Sequence, residues 1–152
     1  MPKVDPIASL EILYFSGSGA PDVGAMLGSA GFRPTRQRMA LGRLLFGKGD
    51  RHLTAEMLYE EAIASDVPVS LATVYNTLNQ LTAAGLLRQV SVDGAKSYFD
   101  TNVSAHQHFY VESTRELIDI PKNSLASYHL SGMPAGYEIS RVDVIVRLRR
   151  VS

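Results

Sequence analysis

Apolar positions recur at helical spacing through most of the first 85 residues and give way to short two-residue alternation beyond them, predicting helices first and strands later. The clearest run is Leu71, Val74, Leu78 and Leu81, one stripe of a helix that Ser70 can cap and Gly85 can end. Weaker patterns predict three helices before it. One spans about Val23 to Ala30 and stops at Gly31. The next starts near Pro34, in a first turn where proline is favoured, and carries Met39, Leu41, Leu44, Leu45 and Phe46 up to the break at Gly47-Lys48-Gly49-Asp50. The third starts at Thr54, carries Met57, Leu58, Ala62 and Ile63, and ends before Pro68. Residues 86–92 and 95–99 then read as strands around an Asp93-Gly94 turn. The last three of these helices and the two-stranded hairpin make a winged helix-turn-helix.

After residue 100 the pattern predicts strands at 108–111 and 116–120, a helix from about Pro121, and a terminal strand over 137–148. In that last segment Ser140, Val142, Val144, Val146 and Leu148 alternate with Ile139, Arg141, Asp143, Ile145 and Arg147, leaving one side mostly apolar. A sheet this small needs cover, and homodimerisation is the economical source. The expected architecture is α+β: an arm at 1–22 rich in chain breakers, a winged-helix DNA-binding domain at 23–100, and a small α/β dimerisation and sensing domain at 101–152.

Composition narrows the chemistry. The chain has 152 residues, 45% hydrophobic and 20% charged, and no cysteine, so disulfides, thiolate zinc sites and cysteine nucleophiles are excluded. No run reaches the roughly 18 apolar residues of a membrane span, and the first residues lack the layout of a secretory signal, so a cytoplasmic location is expected. Net charge is zero, yet Arg33, Arg36, Arg38, Arg43, Lys48 and Arg51 crowd a stretch that contains Asp50 as its one acid.

The face opposite the apolar stripe of the fourth helix carries Ala72, Thr73, Tyr75, Asn76, Asn79 and Gln80, with no charge among them. Solvated helix faces are usually built from Glu and Lys. In a major groove, Asn and Gln can pair with adenine, while Tyr, Ala and the Thr methyl can pack on thymine methyls. Double-stranded, A/T-rich DNA is therefore the expected partner, read by Thr73, Tyr75, Asn76, Asn79 and Gln80. Arg36, Arg38 and Arg43, with Lys96 of the wing, would hold phosphates. Metal chemistry has to use imidazole and carboxylate. His106 and His108 lie two apart at a strand start, on one side of an extended chain. Two surface histidines at a loop edge explain that pair equally well. His52, Asp93 and Asp119 could complete a site, although spacing alone does not bring them together.

Four segments resemble the ferric uptake regulator (Fur) family: 33–38 (Arg-Pro-Thr-Arg-Gln-Arg), 52–59 (from His52 to Tyr59), 70–81 (from Ser70 to Leu81) and 93–99 (from Asp93 to Phe99). The likeness runs from about Gly31 to Arg150, and its wording is most similar to the haem-responsive iron response regulator branch, Irr. It implies a dimeric repressor or activator of iron uptake and haem biosynthesis genes. It also implies a regulatory metal site joining the two domains, at positions that fall on His52, Asp93, His106, His108 and Asp119. Such a three-His, two-carboxylate set suits Fe(II), Mn(II) or Zn(II).

Departures from the family pattern are informative. Val111 and Thr114 stand where many members carry the Cys-x-x-Cys of a structural zinc, Gln107 replaces a central ligand, and Ala20-Pro21 replaces a Cys-Pro haem motif. Haem would need histidine, His106 and His108 first and His129 as a weaker choice. Aspartates at 93 and 119 also resemble the peroxide-sensing branch. No nucleophile elbow, phosphate loop or zinc-protease helix is present, so an enzyme is not expected.

Overall fold

The computed structural model describes residues 22–93, 96–104, 106–121, 131–140 and 142–152, without the side chains of Asp93 and Lys96. The chain divides into two compact units, the first ending at Ser104 and the second following it. Expectations for the arm, the Gly94 turn, the helix after Pro121, His129 and Arg141 lie outside the described residues.

The first unit contains α1 (Val23–Ser29), α2 (Arg36–Phe46), β1 (His52–Leu53), α3 (Ala55–Ala64), α4 (Leu71–Ala83), β2 (Arg88–Asp93) and β3 (Lys96–Asp100). Each helix starts at a side chain that accepts a backbone N–H three residues on: Asp22 from Ala25, Thr35 from Arg38, Thr54 from Met57 and Ser70 from Thr73. Such caps contribute about 1 kcal/mol each. Thr35 as cap moves the start of α2 past Pro34, which stands before the helix because it has no side-chain acceptor for the exposed amides of the first turn. Gly31 and Gly85 follow the ends of α1 and α4 with φ of 83° and 79°, a backbone conformation that β-carbon sterics make costly for other residues.

Leu27, Leu41, Leu45, Leu53, Leu58, Val74, Leu78 and Phe99 form the heart of the core. Leu71, expected on the buried stripe, is exposed because it opens α4 beyond the core's edge, and Met57 and Ile63 point to solvent as well. β1, absent from the expectation, pairs with β3 and turns the predicted hairpin into a three-stranded antiparallel sheet of order β1-β3-β2. Its register sets His52 opposite Asp100. This is a winged helix-turn-helix.

The second unit holds β4 (His108–Val111), β5 (Glu116–Asp119) and β6 (Ile145–Leu148) in the order β5-β4-β6. β5 runs antiparallel to β4 and β6 runs parallel to it. The predicted terminal strand over 137–148 shrinks to its last four residues. β4 is itself four residues long, and β6 pairs with it residue for residue from His108–Ile145 to Val111–Leu148. Tyr137, Ile139, Val142 and Leu148 are exposed, as is Ile118 of β5. Among the described residues no helix is long and apolar enough to cross a membrane.

Candidate metal centre and nucleic-acid interface

The first unit contributes one imidazole and one carboxylate. The β1–β3 pairing brings His52 Nε2 to 3.2 Å from Asp100 Oδ2, and Asp100 is fully buried. Its other oxygen, Oδ1, accepts the backbone N–H of Asn102 at 2.8 Å, and the Asn102 carboxamide oxygen in turn accepts from the N–H of Ser104 at 3.0 Å. Two successive side-chain turns therefore hold the exit from β3 in one geometry. On the other side of His52, the Arg51 guanidinium grips Glu61 through both nitrogens, at 3.0 and 2.5 Å, and donates to the Leu44 carbonyl at 3.1 Å. That contact holds the Glu61 carboxyl below its ordinary value of 4.5, against the opposing effect of burial.

The second unit contributes two imidazoles and a carboxylate. Antiparallel pairing sets His108 opposite Asp119, and the Gln107 carbonyl accepts from the Ile120 N–H at 2.9 Å. The two-residue spacing puts His106 on the same side as His108, with ring centroids 4.5 Å apart. His106 Nε2 and His108 Nε2 lie 3.1 and 3.4 Å from the same Asp119 Oδ1. Both histidines are buried. Two nitrogen donors and a carboxylate gathered this closely fit a first-row divalent cation.

Of the five expected ligands, His52, His106, His108 and Asp119 thus have carboxylate or imidazole neighbours, each within its own unit, while the Asp93 side chain lies outside the described residues. Asp100 was not anticipated. With Asn102 and Ser104 after it, it reads in sequence as ordinary turn chemistry, and the signal that would single it out is the short β1 strand that pairs opposite.

On α4, Ala72, Tyr75, Asn76, Asn79 and Gln80 are exposed, and Thr73 is half-buried, its hydroxyl sharing a hydrogen with Ser70 Oγ at 2.9 Å. The Tyr75 hydroxyl donates to Glu56 Oε1 at 2.6 Å, a bond that holds the phenol above its ordinary range. Arg36 and Arg43 are exposed on α2. Arg38 is more constrained: it donates to the Arg33 carbonyl at 3.1 Å and to Gln80 Oε1 at 3.5 Å, and lies over the Phe32 ring. Nothing is described of the Lys96 side chain.

A family model described as the ferric uptake regulator family matches residues 29–147. The peroxide-responsive repressor PerR of Staphylococcus aureus is 34% identical over 96 residues, 62% of this chain and 64% of that repressor's length. The solved structure of the ferric uptake regulator from Pseudomonas aeruginosa with manganese superposes with a TM-score of 0.64 at 26% identity, covering 86% of this chain and 98% of that one. The Vibrio cholerae ferric uptake regulator gives a TM-score of 0.66 at 22% identity, covering 84% and 98%, which is a likeness of fold. With the family model spanning both units, the chain belongs to the ferric uptake regulator family.

Proposed function

We propose that this protein is a homodimeric, sequence-specific DNA-binding regulator of iron and haem homeostasis genes, binding A/T-rich palindromes under the control of a divalent metal. The observation that carries the reading is the convergence of His106 and His108 on one carboxylate oxygen of Asp119, in a chain that also presents a charge-free exposed helix face. α4 would enter the major groove with Thr73, Tyr75, Asn76, Asn79 and Gln80, while Arg36, Arg38, Arg43 and the wing's Lys96 would take phosphates. The exposed apolar residues of the second unit supply a face for a second copy.

His106, His108 and Asp119 would hold the metal, with His52 and a first-unit aspartate as further ligands; Asp100 fits that role by its contact with His52, and Asp93 is the alternative. A bound Fe(II), Mn(II) or Zn(II) supplies positive charge that offsets the gathered carboxylates and fixes the imidazoles. Donors drawn from both units would fix the angle between them, and so the spacing of two reading helices in a dimer. Members of this family named above are regulators by their names, and an enzymatic role is not proposed.

Two finer readings concern the signal. Peroxide sensing follows the likeness of the aspartates at 93 and 119 to that branch and the similarity to PerR. Haem sensing follows the Irr-like wording and would require His106 and His108 to leave Asp119. The deciding experiment measures binding of apo, Mn(II)-loaded and haem-loaded protein to an A/T-rich palindromic duplex at one fixed salt concentration. Tighter binding with Mn(II), lost in His106→Ala, is expected; equal binding by all three forms overturns metal control. A Soret band that weakens in the His106→Ala, His108→Ala double variant would establish haem. Oxygen added to His52 or His106 after Fe(II) and peroxide, read by mass spectrometry, would establish peroxide sensing.

A further inference from the structure

One acidic side chain stands beside the uncharged face of α4. Glu56, in the first turn of α3, accepts the Tyr75 hydroxyl at 2.6 Å, and both residues are exposed. A phenol has one hydrogen to give and two lone pairs to offer. Committing that hydrogen to a carboxylate, in a short charge-assisted bond, leaves Tyr75 able only to accept. The bond also restrains a ring that would otherwise change rotamer freely at the surface.

We propose that Glu56 is a specificity-setting positioning residue: it holds Tyr75 as an obligate hydrogen-bond acceptor for an exocyclic amino group in the major groove. This rests on the reading of α4 as the recognition helix. In that groove the donors are the adenine N6 and cytosine N4 amino groups, whereas guanine and the thymine carbonyl present acceptors. A tyrosine free to donate would satisfy either class; one tied to Glu56 rejects the acceptors. The carboxylate has a second effect. Placed beside the reading face, it repels phosphates of any duplex regardless of sequence, so it lowers specific and non-specific binding alike, while the tyrosine it holds adds to specific binding alone. Glu56 therefore raises the ratio of the two affinities. An acid in a first helical turn also interacts favourably with the helix dipole, and this purely structural role would affect stability and not the ratio.

The test uses the full-length Mn(II)-loaded protein. A duplex is selected from a randomised library by the wild type, and its binding is compared with that of a scrambled duplex of equal length at fixed salt. Glu56→Ala and Tyr75→Phe should each lower the selected-to-scrambled affinity ratio, by roughly fivefold for one lost hydrogen bond. The double variant should lose no more than either single one. Glu56→Gln, whose amide oxygen still accepts from the phenol, should keep the ratio within about twofold of wild type, while binding both duplexes roughly threefold tighter. A Glu56→Ala protein with lowered thermal stability and an unchanged ratio overturns the proposal, as does full additivity in the double variant. Asn79→Ala separates the levels. If it lowers the ratio and the Tyr75 and Glu56 variants do not, the Glu56 proposal alone falls; if none of them does, the reading of α4 falls with it.

Discussion

Asp100 shows what a single residue's surroundings add to its identity. A fully buried aspartate at 3.2 Å from His52 Nε2 is costly unless it is paired, and here imidazole and the Asn102 amide supply the partners. In sequence it closes a strand and opens a turn, and the family likeness pointed to Asp93 instead, because β1, the two-residue strand opposite Asp100, has no periodic signature of its own. Asp100→Asn is expected to weaken Mn(II) binding at least tenfold by calorimetry, about the loss seen when groups orienting a ligand are removed. A larger loss in Asp93→Asn would return the role to Asp93. Arg51 and Glu61 give a second residue-scale expectation. Because the Arg51 contact depresses the folded Glu61 pKa, this pair stabilises the fold above the ordinary value of 4.5, and the contribution is lost as pH falls through the depressed value. Wild-type thermal stability should therefore decline more steeply below about pH 4.5 than that of Glu61→Gln. Parallel pH profiles would refute it.

Elements were legible where their signals are local. Thr54 and Ser70 cap α3 and α4 as their sequence positions predict, since a cap and its amide lie three residues apart. The terminal strand failed because strand length is set by the partner, and alternation over 137–148 says nothing of a four-residue β4. Helix packing is equally non-local. Gly42, inside α2, meets Val23 of α1 so closely that an added β-carbon would clash with Val23 Cγ1. Alanine favours an exposed helix interior by about 1 kcal/mol over glycine, but overpacking typically costs about 1–3 kcal/mol, and valine is stiff at χ1. Gly42→Ala should therefore lower the Tm by several degrees, measured by calorimetry on the apo chain. A rise in Tm would mean that α1 moves away without cost.

For the molecule as a whole, a net charge of zero gives no general attraction to DNA, so any electrostatic affinity has to come from how the charges are placed. Six basic residues between 33 and 51 look equivalent in sequence. They separate in three dimensions: Arg36 and Arg43 are exposed on α2, whereas Arg51 is committed to Glu61 and the Leu44 carbonyl inside the first unit. Phosphate contacts release counterions, and each one adds about 0.9 to the slope of log affinity against log salt. Arg36→Ala and Arg43→Ala are accordingly expected to weaken selected and scrambled duplexes alike and to reduce that slope by about one each. Arg51→Ala should leave the slope unchanged and lower the Tm, since it removes a partner from Glu61 and an anchor beside His52. Equal slope changes for all three arginines would mean that DNA binding draws Arg51 away from Glu61, and would move the phosphate track from α2 toward β1.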